Sequence, residues 1–218
     1  MSRRAHILVY ASGVLLVLAA GAGGRLLTRR TGAGEYVQSQ IGDLRLIYPA
    51  AYARFPGGRL GGRIDSLDMA ATFPDLKPAG DAAAPLSDES AAGAPAIVFL
   101  SIGPHERKVD QADLVVTLYD RFLDPEIGEA AAGLLKRRFQ DGSPYQGEDL
   151  YFAPPEGRAF AARCTRPTTP PDGLPETCIA SIYEGGADVE LRFSRGLLPQ
   201  WEKLSEGSRA LIRSMLAR

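Results

Sequence analysis

Twenty consecutive residues near the amino terminus, Ala5 to Gly24, carry no formal charge at neutral pH. At 1.5 Å per residue, a helix of this length matches the roughly 30 Å hydrocarbon thickness of a bilayer. Lipid offers no partners for backbone N–H and C=O groups, so a spanning segment here has to be helical. The stretch therefore predicts a single N-terminal transmembrane helix over residues 5–27, after a short cytoplasmic tail over residues 1–4.

Three interpretations of this segment remain open: a retained anchor with the following domain outside, a cleaved signal peptide, and an anchor of opposite orientation. Arginines lie on both sides of the segment, so the positive-inside rule is nearly balanced. The small residues Ala20 to Ala22 fit a cleavage site, but Leu26, Leu27 and nearby arginines make an awkward mature terminus. The retained signal-anchor is favoured, which predicts a bacterial inner-membrane protein with its C-terminal domain in the periplasm.

The two cysteines of the chain flank a proline-rich loop. Thirteen residues, four of them proline, separate Cys164 from Cys178. The segments on either side read as strands, and antiparallel pairing would bring the two Cα atoms within the 4.4–6.8 Å that a disulfide requires. A zinc site would need three or four ligands, and a catalytic redox pair normally has the spacing C-x-x-C, so neither interpretation fits these two cysteines. Two free buried thiols stay possible, but an export-like terminus favours a Cys164–Cys178 disulfide.

Composition narrows the classes of partner. The chain has 25 basic and 26 acidic residues, and five of the arginines precede residue 31; the remainder holds 20 basic and 26 acidic residues, a net charge of −6. Such a domain repels phosphate backbones, which disfavours nucleic-acid binding. Arginine outnumbers lysine by 21 to 4 and asparagine is absent, a skew typical of a GC-rich bacterial gene.

The remaining 178 residues, 41–218, predict one extracytoplasmic α+β domain after a juxtamembrane linker over residues 28–40. Alternating apolar residues predict mainly antiparallel strands, clearest in CIASIYEGGADVELRFS, where Gly185-Gly186 forms a hairpin turn. Helical spacing predicts one central helix over DQADLVVTLYDRFLDP and a C-terminal helix packed on the sheet. Residues 74–95, rich in Pro, Ala and Gly, read as a flexible loop.

Few residues of the sequence are candidates for a catalytic or ligand-binding site. His105, the one histidine outside the apolar segment, has Glu106, Asp110 and Asp113 nearby in sequence, but no positioned nucleophile accompanies it. The glycines of GGRLGGR resemble a phosphate cradle only superficially, because no lysine with Ser or Thr follows. We therefore predict no catalytic, cofactor-binding or metal-binding residues, and no cofactor.

These features favour a membrane-anchored, non-enzymatic binding protein over an enzyme. Asp188, Glu190 and Arg192 point away from the side of the strand that carries Val189 and Leu191, which predicts a sheet face that is wet or covered by a partner. The expected partners are the membrane and another envelope protein. An anchored hydrolase without a linear motif and a periplasmic immunity-type protein that neutralises a toxin are the alternatives, the last because an acidic domain suits a basic partner.

Overall fold

The computed structural model describes residues 35–80, 95–105, 114–167 and 176–217. The predicted transmembrane segment lies outside these ranges. None of the helices formed by the described residues is long and apolar enough to span a membrane. The first strand begins at Tyr36, inside the stretch that the sequence assigns to the linker.

A nine-stranded antiparallel sheet dominates the described residues. Its strands are β4 (Leu67–Phe73), β5 (Lys77–Pro78), β6 (Ala96–Pro104), β7 (Gly128–Glu129), β8 (Leu135–Arg138), β9 (Glu148–Phe152), β10 (Ala161–Thr165), β11 (Thr177–Glu184) and β12 (Ala187–Ser194). They lie in the order β5-β4-β6-β12-β11-β10-β9-β8-β7. Every pairing in this sheet is antiparallel. The predicted antiparallel architecture is thus confirmed.

The β11–β12 hairpin follows directly from its sequence. Gly185 and Gly186 have φ values of 58° and 89°, which side chains tolerate poorly, so glycine fits both turn positions. The flanking residues then pair in a continuous register from Glu184 with Ala187 to Thr177 with Ser194. This register buries Val189 and Leu191 in the core and turns their neighbours outward.

A small second sheet of three strands, in the order β2-β1-β3, packs its inner face against the same core. It consists of β1 (Tyr36–Ile41), β2 (Leu44–Pro49) and β3 (Gly62–Arg63), and a short helix α1 (Pro56–Leu60) precedes β3. Inside it, the Tyr48 hydroxyl donates to the Gly58 carbonyl at 2.7 Å and lies 2.7 Å from the Ser39 hydroxyl. The bond satisfies a buried phenol whose pKa is raised by burial.

The C-terminal helix α2 (Trp201–Met215) packs on the large sheet as predicted. Leu204, Ile212 and Met215 lie on its buried side and join the main core. After the helix, Leu216 bridges to Leu46 and the Ala217 amide donates to the Arg45 carbonyl, so the chain end covers the outer edge of β2.

The predicted central helix is not evident. Its described part gives only one π-helical turn over Val115–Tyr119 and one 3-10 turn over Asp120–Phe122. Val115, Val116 and Thr117 are β-branched and restrict helix formation, and Leu123 then forms a β-bridge with Phe139. The apolar spacing instead serves a small second core on the other face of β8–β10, where Tyr119 packs edge-on against Phe139 at 5.6 Å.

Candidate binding surface

Strands β4, β6 and β12 of the large sheet have one face on the main core. Their opposite, outer face is not covered by the second core. Pairing places Asp68 beside Ser101 and Ser101 beside Glu190, so one polar row crosses the three strands. Asp188 pairs with Gly103 one step further along. The predicted outward direction of the β12 polar residues is therefore confirmed.

A groove of about 730 Å³ lies at one end of this face. Ser101 and Gly103 line it from β6, Asp188 and Glu190 from β12, and residues 64–66 from the segment before β4. The lining includes three carboxylates, those of Asp65, Asp188 and Glu190, and no lysine or arginine. We call this feature the acidic groove.

A smaller pocket of about 270 Å³ adjoins the acidic groove and shares Ser101 and Glu190 with it. The Arg54 guanidinium carbon lies 4.2 Å above the ring centre of Phe99 and 5.4 Å from that of Phe55. Arg192 forms an ion pair with Glu190 at 3.0 Å. We call this feature the arginine–aromatic pocket; arginine and aromatic side chains, phenylalanine included, are enriched at protein interfaces relative to the rest of the surface.

His105 lies at the margin of the same surface. Its Nδ1 is 2.9 Å from an Asp188 carboxylate oxygen, and its ring packs at a tilt of 49° against that of Tyr183 with centroids 4.3 Å apart. The neighbouring acids considered in the sequence, Glu106, Asp110 and Asp113, lie outside the described residues. The visible contacts hold His105 against the β11–β12 hairpin, where it orients Asp188.

The predicted disulfide is present between Cys164 and Cys178. The two residues are directly opposite each other on β10 and β11, and both are buried. Their Cα atoms are 4.0 Å apart, slightly below the range expected from the sequence. Since both side chains join the main core, the bond fastens the sheet from the face opposite the acidic groove.

A second cleft, of about 580 Å³, lies near β7 and β8 and is lined by Lys136, Tyr151 and Arg195. Burial raises the pKa of Tyr151, and the positive charges of Arg195 and Lys136 oppose that rise. Each cation already has an internal partner: Lys136 pairs with Asp149 at 3.3 Å and Arg195 with Glu176 at 3.2 Å. The lining of this cleft therefore contains both cations and carboxylates, whereas the lining of the acidic groove contains carboxylates without lysine or arginine.

Within the described ranges, no group of three or more His, Cys, Asp or Glu residues is placed to hold a metal ion. Two buried side-chain polar atoms in this part of the chain have no hydrogen-bond partner there: Ser208 Oγ, and Asp149 Oδ1, although Asp149 Oδ2 pairs with Lys136. The expectation that the protein needs no cofactor stays a prediction.

Arg54, Phe55 and Phe99 were not identified from the sequence. Phe99 belongs to the apolar run AIVFLSIG, which predicts a strand buried on both faces. In the structure β6 does lie inside the sheet, between β4 and β12, but Ser101 on the outer side stays partly exposed and Phe99 is covered by the Arg54 guanidinium. The polar Ser101 within that run is the signal that could have revealed an outward face.

No family model and no curated protein matches this chain. Its fold resembles that of an immunity protein of the Stenotrophomonas maltophilia type IV secretion system, with a TM-score of 0.58 and 16% identity over 88% of this chain and 100% of that one. The iron-regulated outer membrane lipoprotein FrpD of Neisseria meningitidis aligns with a TM-score of 0.49 and 12% identity over 85% of this chain and 94% of that one. At these identities, the first likeness shows a shared fold.

Proposed function

We propose that this chain is a membrane-anchored, non-enzymatic binding protein of the bacterial envelope, and that its outer sheet face receives a basic surface of a protein partner. The acidic groove carries the proposal. Three carboxylates line it without a lysine or arginine, and the arginine–aromatic pocket adjoins it. Complementary charge of this kind accelerates association and sets the orientation of the partner.

Two features support a periplasmic location for the domain. Disulfides persist in oxidising compartments, and the Cys164–Cys178 bond lies in the main core. The uncharged segment over residues 5–24 is long enough to cross a bilayer once. Together they favour a single-pass inner-membrane protein with its C-terminal domain outside the cytoplasm.

A narrower candidate is that the partner is a toxin and the chain an immunity-type protein. The likeness in fold to a type IV secretion immunity protein favours this candidate over other envelope partners. An immunity-type protein that neutralises its toxin by binding needs a recognition surface, and the acidic groove with the adjoining pocket would supply one. The hydrolase alternative gains no comparable support, because the described contacts of His105 are with Asp188 and Tyr183 and do not include a serine, threonine or cysteine nucleophile.

Site-specific photocrosslinking in intact cells tests the proposal. A photoreactive phenylalanine derivative at Ser101, on the groove lining, should give one discrete adduct. The matched position is Ala210, which is exposed on helix α2 and should give none. Charge reversal of Asp188→Lys with Glu190→Lys should abolish the adduct at Ser101, because a basic partner surface would then be repelled.

With the purified partner, Asp188→Asn combined with Glu190→Gln should lower the association rate constant by roughly tenfold at low salt, since steering by charge is lost. If the partner is a toxin, cells that produce this toxin in the periplasm should survive when they also produce the unsubstituted chain. They should die when they produce the substituted chain instead. Equal crosslinking at Ser101 and Ala210, or an association rate insensitive to both charge and salt, would refute binding through the acidic groove.

A further inference from the structure

The outer face of the small sheet is a second exposed surface, separate from the acidic groove. Tyr36 is 68% exposed and Ile47 is 44% exposed, and both project away from the core that buries Ser39, Ile41, Leu46 and Tyr48. Leu60 is 79% exposed. It directly precedes Gly61, which packs against the backbone of Gln38. Three large apolar side chains thus remain in solvent around one three-stranded sheet.

The charge of this face is positive. Gln40 pairs with Arg45 on one side and with Arg63 on the other, so the two arginines flank it on the same face. Both are exposed, and neither forms an ion pair with a residue that the structure describes. The nearest acids in sequence, Asp43 and Asp65, lie in the β1–β2 turn and just after β3 rather than on the strands themselves. We call this surface the arginine face: the outward side chains of β1, β2 and β3.

The position of the arginine face in the chain limits how far it can lie from the predicted anchor. The predicted transmembrane helix ends at residue 27 and β1 begins at Tyr36, so 8 residues separate them. Fully extended, 8 residues reach about 29 Å. Two further arginines, Arg29 and Arg30, lie in this stretch.

We propose that the arginine face rests on the anionic surface of the bilayer that holds the anchor, an inference that depends on the anchoring part of the proposed function. Arginines near an anionic surface gain attraction that fades within about 8 Å. Tyrosine favours the headgroup region, where its ring is buried and its hydroxyl stays wet. The short connection keeps the face at a high local concentration near the membrane.

The remainder of the domain strengthens this orientation. Residues beyond the first 34 carry a net charge of −6, so an anionic membrane repels most of the domain surface. The acidic groove, with Asp65, Asp188 and Glu190, would be repelled most strongly. Contact through the arginine face therefore leaves the groove free for a soluble partner.

The test uses the full chain in nanodiscs of equal parts phosphatidylcholine and phosphatidylglycerol. An environment-sensitive fluorescent amino acid replaces Ile47 in one sample and Tyr183, which is 51% exposed on β11, in another. Brominated lipids should quench the probe at Ile47 and leave the probe at Tyr183 unaffected. Omitting phosphatidylglycerol should weaken the quenching at Ile47.

Arg45→Gln with Arg63→Gln should lower the ratio of docked to undocked domain by roughly 25-fold, about fivefold for each arginine. The matched control, Arg121→Gln with Arg158→Gln, removes two exposed charges elsewhere and should leave the ratio unchanged.

Extraction of membranes with alkaline carbonate distinguishes failure of the proposed anchoring from failure of the inference about the arginine face. A chain that carbonate releases has no retained anchor, which overturns both the anchoring and the inference. A chain that stays in the membrane, with an unquenched probe at Ile47, overturns the inference and leaves partner binding through the groove intact. A probe at Ile47 that is shielded equally in detergent and in nanodiscs, without quenching by brominated lipid, would instead show that a second copy or a protein covers the arginine face.

Discussion

Reduction of the Cys164–Cys178 disulfide should destabilise the domain by about 3 kcal/mol. The two residues are 14 apart in sequence, so the bond closes a loop of about 15 residues, and the chain-entropy model assigns such a loop this free energy. For a domain of this size, the same change lowers the melting temperature by about 6–12 °C. The bond acts chiefly on the unfolded chain, whose conformations it restricts.

Unfolding by urea of the full chain in detergent, with and without a thiol reductant, measures this effect. Trp201 is the single tryptophan, and its indole lies 5.3 Å from Phe160 with its N–H donating to Ala132, so its fluorescence reports the packing of α2 on the sheet. Replacing both cysteines by alanine should cost more than reduction alone, because both side chains are buried and their removal leaves a cavity.

Two results would refute this reasoning. Identical unfolding midpoints for the oxidised and reduced chains would show that the bond does not restrict the unfolded ensemble. A reduced chain that is already unfolded without urea would show that the disulfide provides most of the stability, which the extensive core contradicts.

Three further predictions concern the fold. Gly186→Ala should destabilise the domain by about 1 kcal/mol in urea unfolding because its φ is 89°, whereas Gly57→Ala, with open space around it, should have no such cost. Tyr48→Phe should cost about 1–3 kcal/mol in the same assay, since it leaves the buried Ser39 hydroxyl and Gly58 carbonyl without their partner. Burial raises the pKa of Tyr48 above its ordinary value of about 10, so the unfolded chain loses this proton first and stability should fall as pH rises above 10; phenolate absorbance that rises before unfolding would contradict this.

The parts of the fold that the sequence predicts well depend on local signals. The β11–β12 hairpin needs only Gly185-Gly186 and the alternation on either side, and helix α2 needs only one apolar stripe. Strand β1 was missed because Ser39 occupies a buried position of its pattern, and a serine there looks like a surface residue. Its burial becomes understandable once Tyr48, on the neighbouring strand, supplies a hydrogen bond.

The predicted central helix is not evident in the described residues for a related reason. Apolar spacing over Val115, Leu118 and Phe122 fits a helix, but it does not say whether a neighbouring strand end competes for the same residues. The bridge between Leu123 and Phe139 follows directly after the helical turns. Short-range periodicity cannot reveal such a competition.

The candidate site depends on pairings between distant segments. The acidic groove joins Asp65 to Asp188 and Glu190 because β6 lies between β4 and β12. The sequence indicates the outward direction of Asp188 and Glu190, but not that Arg54 and Phe55 approach them. Strand order in a sheet of nine is set by tertiary packing, and a single sequence contains no direct record of it.

Both edges of the large sheet end in strands of only two residues, Lys77–Pro78 and Gly128–Glu129. The proline has no N–H to donate, and the charged residues at both edges discourage the approach of another backbone. The outer edge of β2 is covered by Leu216 and Ala217. A partner would therefore find few free backbone groups with which to extend the large sheet by strand addition, so recognition at that sheet has to proceed through side chains on its faces.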